Sequence, residues 1–162
     1  MIRIGIITAS DQGARGERED LSGPRIRELV AGLGDVTVSV VLPDDRALLA
    51  EAMREMADQG GVNLLLTTGG TGFSPRDVTP EATLDVVERR APGIPEAMRA
   101  GSLQKTPKAM LSRAEAGIRG STLIVNLPGS PRACEECLAI ILPVLQHGLE
   151  ILRGEASECA RP

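Results

Sequence analysis

Two kinds of segment alternate along this chain. Short apolar runs rich in β-branched residues are separated by stretches whose apolar residues recur with a helical period. Ile2 to Thr8 reads as a first strand, ending just before Ser10-Asp11. After a polar loop from Gln12 to Asp20, Ser22-Gly23-Pro24 opens a helix, with Ser22 as N-cap and the proline in the first turn. Ile26, Leu29, Val30 and Leu33 form its apolar stripe, and Gly34 stops it. Asp35 to Leu42 is a second strand. Pro43-Asp44 closes that strand and starts a helix whose buried face is Leu48, Leu49, Ala52, Met53 and Met56, ended by Gly60-Gly61. Val62 to Thr67 is a third strand, apolar without a break and so suited to a central position buried on both faces.

Beyond a glycine-rich loop at 69–72, Thr79-Pro80 starts another helix carrying Leu84 and Val87. Residues 92 to 119 are less periodic and hold Pro92 and Pro95, which predicts short helical pieces lying over the sheet. Thr122 to Asn126 is the fourth clear strand. Ser130-Pro131 then supplies an N-cap and a first-turn proline for a last helix reaching about Arg153, kinked or split at Pro143. This order predicts an α/β fold in three layers, a mostly parallel sheet with right-handed crossovers and helices on both faces. No repeat, linker or low-complexity tract interrupts it, so one domain over residues 1–162 is expected.

Composition narrows the function classes. With 162 residues the chain can bury roughly 70% of its unfolded surface and needs no disulfide or metal to hold its core. The net charge is −4, and no Lys/Arg run is dense enough for a nucleic-acid footprint. One Phe and no Tyr or Trp leave almost nothing on which bases could stack. No nucleic-acid partner is expected. The opening Ile2-Arg3-Ile4-Gly5-Ile6-Ile7 is too short for a signal peptide, and no segment approaches the ~20 apolar residues of a membrane span, so a cytoplasmic location without membrane contact is expected. Three cysteines, Cys134, Cys137 and Cys159, are an odd number and argue against structural disulfides.

The chemistry collects after the strands. In an open parallel sheet ligands bind beyond the carboxyl ends of the strands. The loops at Ser10-Asp11, Pro43-Asp44, Thr68 to Asp77 and Asn126 to Ser130 should therefore meet at one edge. Thr67-Thr68-Gly69-Gly70-Thr71-Gly72-Phe73 has the glycines of an anion nest and hydroxyls that suit phosphate oxygens. It lacks the Gly-Lys-Ser/Thr of the P-loop and the spacing of a dinucleotide fingerprint, and a tight turn after a central strand is the plainer reading. Arg76 can balance a phosphate charge, and Asp77 can hold a magnesium ion that bridges phosphates. Taken singly, Asp77 and Asp11 read as turn formers and Asp44 as the N-cap of the second helix. Three carboxylates at one sheet edge beside an anion nest point to a site. Cys134-Glu135-Glu136-Cys137 has the spacing of a thioredoxin-like motif, but Cys134 lies about a turn inside its helix and the acids between oppose a thiolate. Zinc would need a second pair of ligands. His147, the one histidine, sits in the last helix, away from the loops that carry the chemistry.

Thr-Thr-Gly-Gly-Thr-Gly at 67–72 and Pro-Arg-Asp-Val-Thr-Pro-Glu-Ala-Thr at 75–83 resemble the MogA/MoaB family of molybdenum cofactor proteins. The likeness extends through Ser10-Asp11, Pro43-Asp44, Met110-Leu111-Ser112-Arg113, Asn126-Leu127-Pro128-Gly129 and Gly148 to Gly154. It implies a homotrimer and a molybdopterin adenylyltransferase, which moves AMP from ATP to the terminal phosphate of molybdopterin, releases pyrophosphate and hands its product to a molybdate insertase. It further implies Asp44 and Asp77 as catalytic carboxylates, with Asp77 holding Mg²⁺. Ser10, Asp11, Thr68, Gly69, Gly70, Thr71 and Gly72 would bind substrate, Ser102, Ser112 and Arg113 on the pterin side and Asn126, Pro128 and Gly129 on the nucleotide side. Many relatives carry a serine in the loop after Ser10-Asp11, where this chain has Ala14, so that contact would be missing or taken over by Arg15. Some family members have lost catalysis, and the domain recurs in molybdate insertases and the CinA group. A non-catalytic molybdopterin-binding scaffold is accordingly the alternative reading.

Overall fold

Alternation along the strands sorts their side chains into two cores. In the computed structural model, which describes residues 1–156, the strands are β1 (Ile2–Ala9), β2 (Gly34–Leu42), β3 (Leu64–Thr68), β4 (Arg89–Arg90), β5 (Ala116–Arg119) and β6 (Thr122–Leu127). They form one sheet in the order β2-β1-β3-β6-β5-β4. The first four in that order are parallel, whereas β5 pairs antiparallel with β6 and β4 antiparallel with β5. The helices are α1 (Asp11–Ala14), α2 (Ser22–Leu29), α3 (Arg46–Asp58), α4 (Thr79–Leu84), α5 (Gly93–Leu103) and α6 (Pro131–Leu152), with a 3₁₀ turn at Pro107–Leu111.

Ile2, Ile4, Ile6, Leu64, Leu66, Leu123, Val125 and Leu127 project to one face, against Ile26 of α2, Met98 of α5 and Leu138, Ile141, Leu145 and Leu149 of α6. Ile7, Ala9, Leu65 and Ile124 project to the other, against Leu49, Ala50, Met53 and Met56 of α3 and Ala82 of α4. Each fully buried Leu or Ile contributes about 1.5–3 kcal/mol. These two cores make the three layers that the sequence predicts. β3 is buried at all five positions, as its unbroken apolar run implies.

Several local expectations need correction. Ser22 is not the cap of α2: Asp20 caps it by accepting from Gly23 N at 3.0 Å, and the Ser22 hydroxyl donates to the Gly129 carbonyl at 2.7 Å. Asp45, not Asp44, caps α3, accepting from Leu48 N. Thr79 does open α4 as expected, and its Oγ1 donates to the Gly69 carbonyl at 2.9 Å. Leu48 and Leu84 are 45% and 41% exposed, on the solvent sides of their helices rather than in the core. Within residues 92–119 the helical pieces are present, but β5, and just before them β4, extend the sheet as well. Pro143 does not split α6, because it and Ala139, whose carbonyl it leaves unbonded, both lie on the solvent-exposed side.

Candidate functional site

Turn chemistry at the carboxyl ends of the parallel strands brings the four polar loops together. Gly69 and Gly70 leave β3 in succession with φ of +89° and +69°, a conformation that side chains disfavour. A Cβ on Gly69 would stand 2.4 Å from the Ala9 carbonyl oxygen, and one on Gly70 would stand 2.3 Å from Thr79 Oγ1 and 3.1 Å from Asp44 Oδ1. Both glycines thus allow three chain segments to close on one point. Among the described residues no acceptor takes the N–H of Gly70, Thr71, Gly129 or Ser130, and four unpartnered donors at one sheet edge suit an anion. The α6 N-terminus adds its positive dipole end there, with the Ser130 hydroxyl accepting from Ala133 N at 3.1 Å.

Two cavities flank this point. The first, of about 340 Å³, is lined by Ser10, Asp44, Thr68, Gly69, Gly70, Asp77 and Gly129 among the predicted residues. The second, of about 420 Å³, is lined by Thr71, Gly72, Ser102, Ser112 and Pro128. Ser130 borders both, and the glycine loop passes from one to the other. Pro128 therefore sits with the residues expected to hold pterin, not with Gly129.

The carboxylates divide into holders and candidates. Asp44 Oδ2 accepts from Asp11 N at 3.0 Å, and Asp11 Oδ1 accepts from Asp44 N at 3.0 Å, a reciprocal tie between the loops after β1 and β2. Asp11 also takes a two-pronged pair from Arg76, which holds its carboxyl below the usual range. Asp11 is thereby occupied and lines neither cavity, so its expected substrate contact is replaced by a tie between loops. Arg76, too, is engaged with Asp11 instead of awaiting a phosphate. Burial pushes the Asp44 carboxyl above its usual range, only partly opposed by the bond from Asp11, and the charges of Asp11 and Asp77 raise it further. Asp77 Oδ2 accepts from Gly72 N and Ser74 N, both at 3.1 Å. Its carboxylate thus shapes the loop as well as facing the first cavity.

Arg113 and Asn126 are likewise structural in their contacts. Arg113 donates through Nε to the Gly72 carbonyl at 2.7 Å, through Nη2 to the Asp77 carbonyl at 2.9 Å, and through Nη1 to Glu81. Its own N–H donates to the Thr71 carbonyl at 2.8 Å, so it braces the loop from beneath and lines neither cavity. Asn126 is fully buried. Its amide donates to Thr67 and Thr83 at 2.9 and 2.8 Å and accepts from Glu115 N at 3.1 Å, which leaves it nothing for a nucleotide. Arg15 pairs with Glu17 and does not take over the missing serine hydroxyl.

Some lining residues had no signal in the sequence. Thr8, Arg18, Glu19, Asp20 and Leu21 border the first cavity, and Arg99, Thr106 and Lys108 border the second. Segment 17–21 has no periodicity and no motif, and only its anchoring reveals it: Asp20 Oδ2 accepts from Thr8 Oγ1 at 2.9 Å. The cysteine motif lends no support to redox chemistry. Cys134 and Cys137 are buried, and burial pushes the Cys134 thiol up to about 11, opposite to what a reactive thiolate needs. Cys159 lies outside the described residues. Among those residues no three His, Cys, Asp or Glu side chains group to hold a metal unaided. Nor is any helix long and apolar enough to cross a membrane.

Comparison with known proteins agrees with this geometry. Residues 5–147 match the family described as "Probable molybdopterin binding domain". The molybdopterin adenylyltransferase of Helicobacter pylori J99 is 40% identical over 156 residues, covering 94% of this chain and 89% of that protein. The molybdopterin biosynthesis enzyme MoaB from Thermus thermophilus superposes with a TM-score of 0.90 at 48% identity, covering 98% and 100% of the two chains. The tungsten cofactor synthesizing protein MoaB from Pyrococcus furiosus superposes at 0.86 with 38% identity, covering 94% and 97%.

Proposed function

This chain belongs to the MogA/MoaB family of molybdopterin-binding proteins, and on that premise we propose that it is a molybdopterin adenylyltransferase that transfers AMP from ATP to the terminal phosphate of molybdopterin. The carrying observation is the pair of cavities that meet at one anion nest, with Asp44 and Asp77 on the wall of the first. One nucleotide and one pterin can then present their phosphates to each other across the glycine loop. The first cavity takes ATP and the second takes the pterin, beside Ser102 and Ser112.

In the reaction a pterin phosphate oxygen attacks the α-phosphorus of ATP. A new P–O bond forms, the bond from the α-phosphorus to the bridging oxygen breaks, and pyrophosphate leaves with that electron pair. The attacking phosphate is already ionised, so no strong general base is needed, and positioning supplies most of the rate. Free N–H groups of Gly70, Thr71, Gly129 and Ser130 hold phosphate oxygens, and the dipole of α6 offsets their charge. The residues fit Mg²⁺: Asp44 and Asp77 share the first cavity, each with Oδ2 held by backbone N–H groups and Oδ1 left for a ligand. When bound there, Mg²⁺ would neutralise charge on the nucleotide phosphates, which complete the coordination that two carboxylates cannot. The raised pKa of Asp44 suits a group whose ionised form is completed by a cation. The working protein is a cytoplasmic homotrimer that passes adenylylated molybdopterin to a molybdate insertase.

Incubation with molybdopterin, ATP and Mg²⁺, followed by mass spectrometry, tests the reading. The expected product is molybdopterin heavier by one adenylyl group. Molybdopterin that binds but stays unmodified would show that the fold serves as a carrier.

A further inference from the structure

Charge around the first cavity is one-sided. Glu19, Asp20, Asp44 and Asp77 line it, and Arg18 is the single cation among the described residues that does. Neighbouring arginines are spent elsewhere: Arg15 on Glu17, Arg25 on Glu28 and Glu135, Arg76 on Asp11. Unlike these arginines, Arg18 has neither an ion pair nor a hydrogen bond among the described residues, although it lines the cavity. It is also not at the end of a loose loop. Glu17 N donates to the Gln12 carbonyl at 2.9 Å on one side of it, and Asp20 and Ser22 tie the other side to Thr8 and to the Gly129 carbonyl. A guanidinium with no protein partner at the cavity is available to fork onto phosphate oxygens.

We infer that Arg18 binds the polyphosphate of the nucleoside triphosphate in the first cavity, and carries the charge of the departing pyrophosphate. The inference rests on the assignment of that cavity to ATP. It explains how a pocket walled by four carboxylates can hold a tetra-anion, since a cation shared with Asp44 and Asp77 offsets only part of the repulsion.

Steady-state kinetics with ATP, Mg²⁺ and molybdopterin would compare wild type with Arg18→Gln, Arg18→Lys and Arg15→Gln, alongside calorimetric binding of Mg·ATP and of pyrophosphate. Loss of one charge-assisted contact predicts a KM for ATP raised roughly 10-fold to 100-fold in Arg18→Gln, partial rescue in Arg18→Lys, and an unchanged KM for molybdopterin. Pyrophosphate binding should weaken in parallel. Arg15→Gln removes the same charge from an ion pair three residues away and should leave all three quantities within about twofold. An unchanged KM for ATP in Arg18→Gln overturns the inference, as does an equal rise in Arg15→Gln, which would mean a diffuse charge effect. Wild-type protein that neither binds Mg·ATP nor releases pyrophosphate would instead remove the adenylyltransferase reading itself. Exposure of the Arg18 side chain means that the variants should fold, which a melting temperature within about 1 °C of wild type will verify.

Discussion

At the scale of single residues, Asp44 is the one carboxylate among the described residues whose surroundings raise its pKa. Burial is the main cause, so ionising Asp44 costs the fold more than ionising a solvated aspartate. The sign follows directly. A carboxyl whose folded pKa lies above the unfolded value stabilises the fold only where it is protonated, and that contribution is lost as pH rises through the folded value. Asp44→Asn keeps an oxygen to accept from Asp11 N but removes the charge. It should therefore melt higher than wild type at pH 7.5, with the gain shrinking to nothing below the ordinary carboxyl value of 3.8. Adenylyl transfer should fall by about 100-fold or more in the same variant. Differential scanning calorimetry across pH would check the first part, and a lower melting temperature at pH 7.5 would contradict it. Asp77 needs a different substitution from the one its sequence context implies. Read as an exposed loop residue, it could be cut back to alanine at little cost; the structure shows it ordering Gly72 and Ser74, so Asp77→Asn, which retains an acceptor, is the cleaner probe of its charge.

The elements of the fold place those residues, and here the reading of the chain succeeds and fails for identifiable reasons. β1, β2, β3 and β6 were legible because unbroken or alternating apolar runs have few other uses. β4 and β5 were not, since two and four residues are too short for a period to register, and their places are set by pairing, β5 on β6 and β4 on β5. Caps were misplaced by one or two positions at α2 and α3, because nearby Ser and Asp residues compete for one role and tertiary contacts decide among them. Asp44-Asp45 shows the consequence. With Asp45 capping α3, Asp44 is released to the cavity wall, a division of labour that sequence alone does not resolve. The family resemblance groups Asn126 and Arg113 with substrate contacts, whereas the burial of Asn126 and the bonding of both make them supports. Asn126→Ala should accordingly cost about 2–4 kcal/mol, since it leaves Glu115 N without an acceptor and takes a donor from the Thr67 and Thr83 hydroxyls, and chemical denaturation would measure it. Gly70→Ala should cost about 2 kcal/mol or more, from its positive φ and the contact with Thr79, together with most of the activity. A stable Gly70→Ala protein would mean that the loop is less tightly closed than its contacts require.

Over the whole molecule, the three layers serve to bring the exits of β1, β2, β3 and β6 to one edge, where two cavities open on either side of a single loop. The convergence of those loops was predictable from a parallel sheet. That they form two cavities with one anion nest between them was not, because segment 17–21 and the 3₁₀ turn, which wall the cavities, carry no periodic signal. Under the proposed function, the two cavities would hold two anions apart until their phosphates meet across that loop. Chelation should silence the enzyme and added Mg²⁺ restore it, while the melting temperature of the ligand-free protein stays the same, as no three side chains among the described residues would bind the ion without phosphates. The most direct test is pyrophosphate release from ATP and Mg²⁺, with and without fresh molybdopterin, in wild type and in Asp44→Asn. Release that requires molybdopterin and falls about 100-fold or more in the variant is the predicted result. Release independent of molybdopterin, or undiminished in the variant, would contradict it.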